Sequence, residues 1–218
     1  MNLPVVLVNF KAYEKSTGMN AVELAKIHEK AAKETGASIA VAVSAVDLKD
    51  VLRAVSIPVF VQHVDAVDFG AKTGFLPAKL AKSLGAYGTL LNHSEHQLSD
   101  DVLEKSVQMA KEAGLFVVCC ANTPEKGASV LKYNPDLIAV EPPELIGGDI
   151  SVSKAKPDVI TKSVELMGDK VLVGAGVKNS EDVRIALQLG AKGVLLASGV
   201  TNAVDPEKVL LDLVSSFK

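Results

Sequence analysis

Short apolar runs alternate with amphipathic segments along the whole chain. The runs are VVLVNF (5–10), SIAVAV (38–43), PVFVQ (58–62), YGTLLN (87–92), LFVVCC (115–120), LIAVE (137–141), KVLVG (170–174) and GVLLA (193–197). Each is continuous in apolar residues rather than alternating with polar ones, as parallel strands buried on both faces require. Helical patterns fill the intervals. Asn20 with Glu23 fits a capping box ahead of AVELAKIHEKAAKE, and Ser99 precedes DDVLEKSVQMAKEAG. Thr123-Pro124 and Asp205-Pro206 place proline where a first helical turn tolerates it, and Ser180 opens EDVRIALQLG. Turn signals at Gly36, Gly85, Gly114, Asn134-Pro135, Gly168 and Gly190 precede the next apolar runs. Eight strand-then-helix units, without a linker or a change of composition, predict one (β/α)8 barrel of eight parallel strands, a single domain over residues 1–218. A doubly wound open sheet is the alternative. It calls for fewer strands and a glycine-rich loop after the first, whereas here the first run leads into NFKAYEK with no glycine before Gly18.

Composition narrows the function classes. A chain of 218 residues that is 48% hydrophobic can bury a large core without disulfides or metal staples. The net charge of −3, the lack of a basic stripe and the absence of tryptophan argue against nucleic acid and anionic membranes as partners. Cys119 and Cys120 are adjacent within a strand, so their side chains point to opposite faces and read as buried strand residues rather than a disulfide or zinc site. No apolar run approaches the ~18 residues of a membrane span, and the first residues show no basic leader, so a cytoplasmic location is expected.

In such a barrel, chemistry stands at the C-terminal ends of the strands. Asn9 and Lys11 follow the first strand; Asn92, His93 and Glu95 the fourth; Glu141 the sixth. A cation, an imidazole and a carboxylate from three strands can serve as charge stabiliser, electrophile and general base. Glycine-rich tips at Gly147-Gly148, Gly174-Ala175-Gly176 and Ala197-Ser198-Gly199 let backbone N–H groups approach an anion, and the tips after strands seven and eight are the usual phosphate pocket of such barrels. The combination points to an enzyme acting on a small phosphorylated carbonyl compound. Pro142-Pro143 stiffens the chain behind Glu141, and Gly147-Gly148 would allow a lid over roughly 146–155 to exclude water. His93-Ser94-Glu95-His96 lacks metal-binding spacing and a third ligand, so neither metal nor cofactor is expected; His28 and His63, without an evident partner, read as structural. Two other readings stay open: a Schiff-base aldolase with Lys11 as nucleophile, and a barrel that binds phosphosugars without turnover.

The set NFK, LNHSE, AVEPPELIGG, a glycine-rich seventh tip and ASGV, in this order and over nearly the whole chain, resembles the triosephosphate isomerase family in its compact, archaeal-type wording. The resemblance implies interconversion of dihydroxyacetone phosphate and D-glyceraldehyde 3-phosphate through an enediolate. It implies Glu141 as the proton-shuttling base, His93 as electrophile, Lys11 and Asn9 on the substrate oxygens, and Glu95 orienting the site from behind. It further implies substrate contacts at Ile146, Gly147, Gly176, Ala197 and Ser198, and a homo-oligomer, dimer or tetramer, whose GAKTG loop carries Thr73 towards a neighbouring site. A short helical turn after His93 would keep its imidazole neutral. Where the family often has a pair of arginines after H-S-E, this chain has His96-Gln97; the seventh tip is Gly-Ala-Gly rather than Gly-Gly-Ser.

Overall fold

The structure, a computed structural model, describes residues 1–145 and 151–217. Eight parallel strands pair in sequence order and the ring closes: β1 (Val5–Asn9), β2 (Ser38–Val43), β3 (Val59–Val61), β4 (Gly88–Leu91), β5 (Phe116–Ala121), β6 (Leu137–Val140), β7 (Val171–Gly174) and β8 (Gly193–Leu196). The closing pair matches Val5 with Gly193 and Val8 with Leu196. Each predicted run matches its strand to within one residue at either end, because a strand buried on both faces stays apolar along its full length.

The described helices between and after the strands are α1 (Met19–Thr35), α2 (Leu48–Ala54), α3 (Ala78–Leu84), α4 (Asp100–Glu112), α5 (Pro124–Val130), α6 (Val152–Ala155), α7 (Pro157–Met167), α8 (Ser180–Gln188), α9 (Ser198–Thr201) and α10 (Pro206–Val214). Thr123 and Asp205 cap α5 and α10 as their sequences require, accepting from the N–H of Lys126 and Lys208. Two starts differ from expectation. The Asn20–Glu23 capping box does not form: α1 begins at Met19 behind Gly18, whose N–H donates to Asp47 Oδ1 at 2.9 Å, while Asn20 donates to the Glu14 carbonyl. The α8 cap is Asn179, accepting from the Asp182 N–H, with Ser180 already inside the helix. Among the described residues no helix is long and apolar enough to cross a membrane.

Two apolar clusters show which way each side chain points. One joins alternate strand residues such as Val6, Val8, Val41 and Val43 to helix residues such as Leu24 and Leu103. The other draws its buried members from strands alone, among them Val5, Leu7, Ala40, Ala42, Phe60, Leu90, Cys120, Ala139, Leu172 and Leu195, and fills the ring. Side chains alternate along a strand, so the inward row continues at the strand tips to Asn9, Gln62, Asn92, Glu141, Gly174 and Ala197. The polar residues among these stand on a packed apolar floor.

Candidate active site

Asn9, Lys11, His93, Glu141, Gly176, Ala197 and Ser198 line one cavity at the C-terminal mouth of the ring. Ile146 and Gly147, with the first half of the expected lid, lie outside the described residues.

Glu141 is held at both ends. Its N–H donates to the Ala121 carbonyl at 2.9 Å, extending the β5–β6 ladder by one rung, and Pro142 follows directly. The residue is 6% exposed, with the buried Cys120 among the groups acting on its carboxyl. Oε2 is buried with no hydrogen-bond partner in the structure and lies 3.7 Å from His93 Nε2. Burial pushes the Glu141 carboxyl up to about 7, against the opposing pull of Cys120 and Lys11. The glycine at 174 has a specific reason. A Cβ built there would stand 2.3 Å from Glu141 Cγ and 2.6 Å from Oε1, so β7 leaves out a side chain where the Glu141 side chain sits.

His93 receives a hydrogen bond at Nδ1 from the Glu95 backbone N–H at 3.2 Å. An acceptor at Nδ1 leaves the ring proton on Nε2, which faces Glu141. Burial is the largest influence on His93 and lowers its pKa; Lys11 lowers it further while Glu95 raises it. The helical turn expected after His93 is reduced to one hydrogen-bonded turn, the His96 N–H donating to the His93 carbonyl at 2.8 Å, and α4 begins only at Asp100.

Lys11 adopts a left-handed backbone, φ 53°, and Asn92 (φ 61°) and Ala175 (φ 73°) do the same at neighbouring tips. Such residues persist only where surrounding bonds over-determine them. For Lys11 those bonds come from Asn9 and Gln62. Asn9 Oδ1 accepts from the Lys11 N–H at 3.0 Å, and Gln62 Nε2 donates towards Asn9 Oδ1 at 3.1 Å and the Lys11 carbonyl at 3.0 Å. Asn92 holds the next loop, donating to the Cys120 carbonyl and accepting from the Leu98 N–H. Lys11 Nζ meets Glu95 Oε1 at 2.6 Å. Glu95 thus sits at the solvent rim, 57% exposed, rather than behind the site. His96 leaves His93 and stacks on His63 with ring centroids 4.3 Å apart, giving His63 the partner its sequence context did not reveal. Among the described residues no three metal-ligating side chains converge.

Gln62, Cys120 and the seat at Gly174 support the candidate site in ways that motif reading missed. The signal for the first two was parity: each lies two residues beyond an inward apolar position, Phe60 and Val118.

The geometry defines a class: a (β/α)8 barrel enzyme with a carboxylate, an imidazole and an ammonium group at its mouth beside glycine-rich turns. The family model described as triosephosphate isomerase matches residues 4–216. A curated triosephosphate isomerase of Methanothermobacter thermautotrophicus is 47% identical over 97% of this chain and 95% of its own length. That of Methanosarcina acetivorans is 46% identical over 98% and 99%. The solved triosephosphate isomerase of Bartonella henselae superposes with a TM-score of 0.75 at 21% identity, covering 98% of each chain, a likeness of fold. The chain belongs to the triosephosphate isomerase family.

Proposed function

We propose that this mouth interconverts dihydroxyacetone phosphate and D-glyceraldehyde 3-phosphate, with Glu141 as the base. Glu141 takes a proton from the carbon beside the carbonyl. His93 Nε2–H hydrogen-bonds the carbonyl oxygen as charge develops there, and Lys11 adds its positive charge. The resulting enediolate is reprotonated by Glu141 on the adjacent carbon, while one oxygen gains a proton and its neighbour loses one. The proton returns to the molecule it left, so the reaction consumes no reductant and calls for no cofactor. Asn9 orients the substrate oxygens. The backbone N–H groups at Gly176, Ala197 and Ser198 hold the phosphate. Glu95 anchors Lys11 from the rim. The observation that carries this reading is the approach of Glu141 Oε2 and His93 Nε2 to 3.7 Å in a cavity also lined by Lys11.

In an assay coupling product to a dehydrogenase, Glu141→Asp and His93→Gln each lose roughly 10²-fold or more in kcat, the usual size of general-base and oxyanion contributions. Wild-type rates in either variant reject the assigned role. An ion-paired ammonium at Lys11 is a poor nucleophile, so borohydride traps no covalent adduct with substrate; an adduct would favour the aldolase reading.

The same reading makes residues 1–218 one domain that works as a homo-oligomer in the cytoplasm. Support comes from the loop 65–77, which carries Thr73 and two exposed phenylalanines, Phe69 and Phe75, and is closed at its base by paired bonds between Asp65 and Leu76. Dimer and tetramer differ by a factor of two in mass, which sedimentation equilibrium reads directly.

A further inference from the structure

Asp182, the third residue of α8, does not line the cavity, yet it is 2% exposed and gathers bonds from several segments. Its Oδ1 accepts from the Ser151 hydroxyl at 2.7 Å and lies 3.4 Å from Lys154 Nζ. Its Oδ2 accepts from the Lys178 N–H at 3.0 Å, and its carbonyl accepts from the Ser153 hydroxyl at 2.9 Å. The capping need of α8 is met by Asn179, so the carboxylate is not engaged in capping its own helix. A carboxylate is costly to bury and is tolerated where donors surround it. Here the donors tie the chain before α6 to the turn after β7. A further bond, Val152 N–H to the Ala175 carbonyl at 3.2 Å, ties the same two segments. That turn carries two successive left-handed residues, Ala175 at 73° and Gly176 at 70°, and residues 175–178 line the cavity. A turn of two such residues needs external bonds to hold one shape.

We propose that Asp182 is a positioning residue for phosphate binding, fixing the turn 175–178 through the Lys178 N–H and the Ser151 hydroxyl. The inference rests on the phosphate pocket assigned above and adds the group that shapes it. An asparagine at 182 keeps the size but offers one acceptor oxygen, and its NH2 faces one of the two donors. Losing one hydrogen bond to a charged acceptor weakens binding by roughly tenfold or more.

The test uses the full-length protein and inorganic phosphate as probe. Asp182→Asn raises both the inhibition constant for phosphate and the KM of the phosphorylated substrate about tenfold, with the pH midpoint of kcat unchanged, because Glu141 keeps its surroundings. Ser151→Ala shifts both constants in the same direction by a smaller factor, and the double variant adds less than the sum. A folded Asp182→Asn protein with both constants within twofold of wild type overturns the proposal, as does a lowered melting temperature alone. Should Asp182→Asn fail to fold, Ser151→Ala decides: unchanged constants overturn the proposal. A wild type that neither turns over triose phosphate nor binds phosphate refutes the functional reading itself, and this inference falls with it.

Discussion

The buried carboxylate at 141 makes a quantitative demand on stability. In the unfolded chain its pKa is that of an ordinary glutamate, 4.5; in the folded protein burial raises it to about 7. At 1.36 kcal/mol per pH unit the difference corresponds to roughly 3 kcal/mol. The sign follows from which state holds the proton. Between 4.5 and 7 the folded form keeps the proton longer, so this group's stabilising contribution is complete below 4.5 and is lost as pH rises through 7. Glu141→Gln is permanently uncharged, fills nearly the same space and escapes that loss. The variant and wild type are therefore close in stability near pH 4.5, and above pH 7 the variant is more stable by about 3 kcal/mol, or roughly 6–12 °C for a chain of this size. Urea titrations of both proteins at pH 5 and pH 8.5, at one protein concentration, read the difference directly. A gap of the same size at both pH values, or one that shrinks as pH rises, refutes the claim that the active-site carboxylate is held at a folding cost. On the proposed role of Glu141 the same variant loses turnover, so the experiment also separates stability from activity.

Gly174→Ala places a methyl group 2.3 Å from Glu141 Cγ; kcat falls on the order of 10²-fold while the circular dichroism spectrum is unchanged, and retained activity refutes the seat. His28 is fully buried with Nε2 unpartnered, and burial lowers its pKa from 6.5 to about 4, so its contribution runs opposite to that of Glu141. It destabilises the fold by up to about 3 kcal/mol as pH falls from 6.5 to 4, and His28→Leu flattens that acid limb in urea titrations. Gln62→Ala removes the side-chain donor to the Lys11 carbonyl and one of the two donors to Asn9 Oδ1; KM for the triose phosphate rises and stability drops by roughly 1–3 kcal/mol, both measurable on one preparation.

The strands were legible because each is apolar from end to end, and Asn9, Lys11, His93 and Glu141 because each breaks an apolar run at its C-terminal end. What escaped the sequence is non-local. Gly174 reads as one more flexible phosphate-loop glycine until Glu141, 33 positions earlier, is seen to occupy the space its side chain would need. The start of α1 was misread because the group that holds it, Asp47, is 29 residues away, and the local Asn20–Glu23 pattern had no claim on the backbone once Gly18 was bound. Gln62 and Cys120 were within reach. Counting by two from Phe60 and Val118 points both inward, whereas judged by residue type alone they resemble a loop amide and a packed thiol.

The closed ring also governs how this molecule can fail. With every described strand flanked on both sides, the described barrel offers no row of bare amides for another chain to extend, and contact between copies has to run through loops and helix flanks. That protection is only as good as its narrowest seams. β3 spans three residues and registers with β4 at two positions, Phe60–Gly88 and Val61–Thr89, and β7 meets β8 at two as well. Conditions that part either seam before the helices melt would turn a sealed cylinder into an open ribbon with two sticky margins, and fibre-like growth would start there.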